Sequence, residues 1–223
     1  MKFDEKPIAE VLLECGYQRV SHRTYRAMWG TSFIEHFIYL DLWGTPKTFL
    51  AVRFGLRCQE AEAFALDEIL RLGGPTYQLM DKHRIGRCFM AFSLGRLAAW
   101  KPSESLSLPT LSESELKAAL RSALRDHLQP VIGEITTPRK FYEFLAQDEE
   151  THRWVRTNAA IRAAIMVKLA AMLGERVSDV RAVVVPHIGP ISGQLQGISA
   201  HDFLAILLHD AGLSGPISPD NVS

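Results

Sequence analysis

Apolar and polar positions alternate most cleanly in two stretches of the chain, Phe33 to Trp43 and Thr48 to Arg57. A two-residue period puts successive side chains on opposite faces of a strand. In the first stretch Ile34, Ile38, Leu40 and Leu42 line one face. Glu35, Tyr39 and Asp41 take the other, beside Phe33, Phe37 and Trp43. In the second, Leu50, Val52, Phe54 and Leu56 share a face, and Arg53 and Arg57 point the opposite way. Gly44-Thr45-Pro46 separates the two stretches, and so short a turn makes them antiparallel neighbours. Tyr17, Val20, Tyr25, Met28 and Trp29 suit a pleated surface and predict one or two further strands over 17–29. Cys88 to Leu94 reads as a fourth strand, and 76–87 fits neither period.

Elsewhere the period is helical. Pro7 suits a first helical turn, Ile8, Val11, Leu12 and Cys15 form a stripe, and Gly16 ends it. Gln59 to Leu72 is amphipathic through Phe64, Ala65, Ile69 and Leu72, and Gly73-Gly74-Pro75 stops it. Lys101 to Thr110, with two prolines and three serines, reads as a linker. Beyond it Ser112 and Glu115 have capping-box spacing at the head of a long helix striped by Leu116, Leu120, Leu124, Leu128 and Val131. Pro138 opens a helix carrying Phe141, Tyr142, Phe144 and Leu145. Trp154 to Leu173 is a third, apolar nearly all round in its second half and so expected at the centre of a helical cluster. Residues 182–185 suit a short strand or a helix end. Pro186 to Gly197 reads as loop, and Ser199 caps a last helix to Leu213. The expected class is α+β: an antiparallel sheet of about four strands with flanking helices, followed by a helical C-terminal half. The expected division is a sheet lobe over 1–100, a helical lobe over 111–213 packed against it, and a tail over 214–223.

Composition narrows the possibilities. Of 223 residues 47% are hydrophobic and 22% charged, enough apolar material for a core and too little charge for disorder. Lys plus Arg and Asp plus Glu number 25 each, which removes the electrostatic footprint of a general nucleic-acid binder. The start Met1-Lys2-Phe3-Asp4-Glu5-Lys6-Pro7 has no apolar run behind it, so no signal peptide is expected. The longest apolar stretch, Ala159 to Leu173, contains Arg162 and Lys168 and is too short and charged to span a bilayer. Cys15, Cys58 and Cys88 lie far apart, which suggests reduced thiols rather than a disulfide framework or zinc site. These readings place the chain in the cytoplasm, away from membranes.

Candidate chemistry is sparse. His201-Asp202 and His209-Asp210 resemble metal-ligating doublets, but eight helical residues set the histidines about 80° apart, and further ligands are missing. Glu149 and His152 match half of a di-iron motif without a second copy. Gly189-Pro190-Ile191-Ser192-Gly193 has the wrong spacing for a nucleophile elbow, and no phosphate-binding glycine loop is present. No cofactor, metal site or catalytic residue is expected. The strongest candidate is the mixed face of the sheet, where Glu35, Tyr39, Asp41, Trp43, Arg53 and Arg57 join Phe37. Aromatics, arginines and carboxylates together have the composition of a recognition surface. The alternative is that helices or water cover it, which would make its charge pairs modest stabilisers.

The order helix, Cys15-Gly16-Tyr17-Gln18, then a hairpin ending Phe49-Leu50-Ala51-Val52-Arg53-Phe54-Gly55-Leu56, resembles a set of uncharacterised bacterial domains of unknown function. These begin with a short helix ending in Gly-aromatic, followed by an antiparallel meander. The resemblance covers residues 8–60 and implies a bacterial source. Toxin-immunity or accessory roles are suspected for some members, but no functional residue transfers. The preferred expectation is therefore a non-catalytic binding or accessory protein, immunity-like, whose partner is another protein. The alternative is a small-substrate hydrolase, metal-assisted through His201, Asp202 or His209.

Overall fold

A computed structural model describes residues 4–29, 31, 33–44, 49–72, 90–100, 104–147, 159–188 and 197–213. The expectations for Gly73-Gly74-Pro75, 76–87, Cys88, Glu149, His152, the 189–193 loop and the tail lie outside the described residues.

Helix α1 (Lys6–Glu14) leads into β1 (Tyr17–Ser21) through Gly16, whose φ of +83° is a conformation glycine adopts without a Cβ clash. Strands β2 (Thr24–Ala27), β3 (Glu35–Trp43) and β4 (Phe49–Arg57) follow as an antiparallel meander. Residues 17–29 are thus a hairpin whose strands meet Tyr17 to Ala27 and Ser21 to Thr24. After α2 (Gln59–Arg71), β5 (Met90–Ser93) pairs with the C-terminal half of β4. A four-residue helix, α3 (Leu94–Leu97), is capped by the Ser93 hydroxyl. The segment expected as a linker then contributes a strand: β6 (Leu106–Ser107) pairs with Phe49 and Leu50 at the other end of β4. Among the described residues the sheet has six strands, in the order β1-β2-β3-β4-β5, with β6 also on β4.

The helical half contains α4 (Glu113–Ser122), α5 (Gln129–Ile132), α6 (Pro138–Ala146), α7 (Ala159–Leu173), α8 (Val177–Val184) and α9 (Ala200–Asp210). This is the α+β architecture the periods predict. The Ser112 capping box is present, its hydroxyl accepting from the Glu115 N–H while the Glu115 carboxylate accepts from the Ser112 N–H. Ser112→Ala is expected to cost about 1 kcal/mol in urea unfolding, because it strips α4 of its cap. The long helix expected from 112 to 131 is not uniform. Pro130 has no N–H to donate back along the helix and its ring crowds the preceding turn. The chain widens into a π turn over Ala123–Leu128, in which the Gln129 N–H reaches back to the Leu124 carbonyl. Leu124 and Leu128 stay buried through the wider turn. The run at 182–185 is helical, the end of α8.

One continuous buried cluster joins the two halves. It contains the even-numbered side chains Ile38, Leu40, Leu42, Leu50, Val52, Phe54 and Leu56 together with Leu120, Phe141, Ile165 and Phe203. Helix α7 lies at its centre, against α2, α6 and α8, with side chains from Ala160 to Val167 all buried. Arg162 is buried there too. Its guanidinium donates to the Leu145 and Gln147 carbonyls at the end of α6, groups that a helix terminus leaves without intrahelical donors. Among the described residues no helix is long and apolar enough to cross a membrane.

Candidate functional site

The odd-numbered face of β3 and β4 takes no part in the main core. Phe37 and Tyr39 form a small buried cluster of their own. Register brings the predicted residues together on this face: Glu35 opposite Arg57, Tyr39 opposite Arg53, Asp41 opposite Ala51, Trp43 opposite Phe49, and Phe37 opposite Gly55. Strand β2 adds Arg26 opposite Phe37 and Thr24 opposite Tyr39, and β1 adds Gln18 opposite Arg26.

The face has three zones. At one end Trp43 is 42% exposed, stacks on Phe49 with ring centroids 4.5 Å apart, and donates its indole N–H to Ser105 Oγ at 3.2 Å. Beside it Arg53 and Asp41 approach to 3.6 Å, both about half exposed. So exposed a pair contributes about 0–1 kcal/mol at most. It sets one charge of each sign on the same face as the indole.

The middle zone is closed. Tyr39 is 4% exposed and stacks on Phe37. Gly55, opposite Phe37, has no side chain, and the Arg57 guanidinium lies over the Phe37 ring, 4.9 Å from its centroid. Tyr39 and Phe37 therefore support the surface from beneath.

The third zone is a cleft. Glu35 divides its carboxylate between two arginines. Oε2 accepts from Nε of Arg57 at 2.6 Å and also from its Nη2. Oε1 accepts from Arg26 Nη1 at 3.3 Å. Beside Arg26 and Glu35 opens a cavity of about 430 Å³, lined also by Gln18, Met28, Phe33 and Gln59. Thr31 braces its rim. The Thr31 hydroxyl donates to the Thr136 carbonyl and accepts from the N–H groups of Phe33 and Ile34, tying this end of the sheet to the helical half.

Sequence reading names Glu35 but not Arg26, Gln18, Met28 or Gln59, which line the cleft with it. The parity of Arg26 along β2 carries the signal, once the hairpin register is known. The histidine and acid doublets do not converge. Asp202 accepts from the Ser199 hydroxyl at the start of α9. His209 bonds Asp210 at 2.8 Å, and Asp210 also holds Arg71 of α2. That histidine contact, then the Arg71 charge, keeps the Asp210 carboxyl below the usual range. Among the described residues no group of three or more His, Cys, Asp and Glu side chains could hold a metal ion. Cys15 and Cys58 are free thiols.

Compared with known proteins, the chain matches no family model, no curated protein and no solved structure. The functional reading therefore rests on the site itself.

Proposed function

We propose that the chain is a non-catalytic binding module that recognises another protein through the odd-numbered face of its sheet. The observation that carries this reading is exposed Trp43, stacked on half-buried Phe49 and flanked by Asp41 and Arg53, on a face that the main core leaves aside. Trp and Arg anchors dominate the energetics of protein interfaces. Here the indole is held in place before any partner arrives, by its stack and by Ser105, so little rotamer freedom is lost on binding. An immunity-like or accessory role is the form of this activity that the resemblance over residues 8–60 favours.

The test is capture of the partner from a lysate of the source organism on immobilised protein, followed by titration of that partner. Trp43→Ala and Arg53→Ala are each expected to weaken binding about tenfold or more, the range of an interface anchor, with circular dichroism unchanged. Undiminished affinity in both variants overturns this choice of surface.

A further inference from the structure

We infer that the cleft at Arg26 is a subsite for an acidic residue of the partner, whose neighbouring apolar side chain seats between Met28 and Phe33. This rests on the protein-binding reading and gives it a second contact point, away from Trp43.

One carboxylate, Glu35, serves two guanidiniums, and the two contacts are unequal. Arg57 reaches Oε2 through two nitrogens, whereas Arg26 reaches Oε1 through one, at 3.3 Å, and its side chain is 52% exposed. A guanidinium has five N–H donors in a planar fork suited to bidentate carboxylate binding. Among the described residues Arg26 uses one of them, and its side chain lines the cavity. An incoming carboxylate is the group that complements it.

The rest of the lining says what accompanies that carboxylate. Met28 and Phe33 are each 58% exposed, large apolar side chains at a mouth where water gains nothing from them. The Phe33 N–H bonds the Thr31 hydroxyl, which anchors its backbone beside the cavity. Gln18 and Gln59 supply amides, which both donate and accept and so match a peptide backbone. A free phosphate would use Arg26 and leave the apolar rim idle. The cavity's volume, about 430 Å³, falls in the range of small-ligand sites, roughly 300–1,000 Å³, enough for a short peptide segment.

The probes are acetyl-leucyl-aspartyl-leucine amide, its asparaginyl counterpart and inorganic phosphate, each titrated into the 223-residue chain by NMR. The aspartyl peptide is expected to bind saturably in the low millimolar range, about tenfold more tightly than the asparaginyl one, with phosphate weaker than either. Arg26→Gln should remove that tenfold preference, and Phe33→Ser should weaken both peptides together. Equal binding of the two peptides, an unchanged preference in Arg26→Gln, or phosphate binding without peptide binding each overturns the inference. The two proposals fail separately. If the peptides do not bind but capture still depends on Trp43 and Arg53, only the cleft assignment falls. If the peptides bind as expected but capture ignores Trp43 and Arg53, the wider surface falls.

Discussion

Lowering the pH from 7 to 4 is expected to remove about 3 kcal/mol of folding stability through one side chain, His36. The imidazole lies on the core face of β3, 1% exposed, with the Trp29 ring tilted over it at 4.5 Å. Its Nε2 is 2.9 Å from the Ile135 carbonyl. A carbonyl only accepts, so Nε2 carries the hydrogen. Nδ1 is then the bare nitrogen of a neutral ring, and it has no partner among the described residues. Protonation would bury a charge and give Nδ1 a hydrogen with no acceptor. Burial accordingly pushes the histidine down to about 4, against a smaller opposing effect of the Ile135 contact. The unfolded chain titrates at about 6.5. Between these values the unfolded state holds a proton that the folded state does not, so stability is full above pH 6.5 and is lost as pH falls towards 4. The check is urea unfolding at pH 7 and pH 4 for wild type and His36→Gln, whose amide can still donate to Ile135. Carboxylates held low by their partners, such as Glu14 beside Arg121 and Asp179 beside Arg176, titrate in both proteins and drop out of the comparison. An equal loss of stability in the two proteins would remove His36 as the cause.

His36 also shows where sequence reading runs out. The alternation that sends Ile34, Ile38 and Leu40 into the core assigns residue 36 to the same face. A histidine at that parity is a visible exception, but nothing local says that the Ile135 carbonyl, 99 residues on, will satisfy one nitrogen and leave the other bare. The same division runs through the rest of the molecule. Period and turn chemistry made β3, β4, α1, α2 and the capped helices legible, because each is decided within a few residues. Two-residue β6 carries no period, so only its pairing with Phe49 and Leu50 reveals it. The π turn follows from Pro130, but a proline in a helical run equally signals a break. On the candidate face, parity correctly grouped Glu35, Tyr39, Asp41, Trp43, Arg53 and Arg57. It could not tell that Tyr39 is closed over while Trp43 is open. Burial on a sheet face depends on what crosses it, and that is a tertiary property.

Gly95→Ala is expected to destabilise the fold by about 3 kcal/mol or more, a large effect for one added methyl group. Nothing in the sequence marks this glycine, since it lies in the short α3 helix and its φ is not in the left-handed region. The constraint is the returning chain. A Cβ on Gly95 would sit 1.9 Å from the Glu104 carbonyl oxygen, 2.5 Å from its carbon and 2.8 Å from the Trp100 ring. The first two are backbone atoms and cannot swing aside. Ala99 and Glu104 are both at positive φ, and the Arg96–Glu104 ion pair at 2.7 Å fastens Glu104 to α3. That placement matters for the candidate site, because the next residue, Ser105, accepts the Trp43 indole N–H, and Leu106–Ser107 pair with β4 beside Phe49. Gly174→Ala is the control. Its φ is +69°, with no atom within 4 Å of the added Cβ, so it costs only the left-handed backbone term, about 1–2 kcal/mol. For a chain of this size each kcal/mol lowers Tm by roughly 2–4 °C. Gly95→Ala should therefore melt roughly 2–8 °C below Gly174→Ala and shift the tryptophan emission through Trp100 and Trp43, which the control leaves in place. Equal melting of the two variants would show that the 104–107 return is soft. It would also withdraw the argument that Trp43 is held ready for a partner from behind.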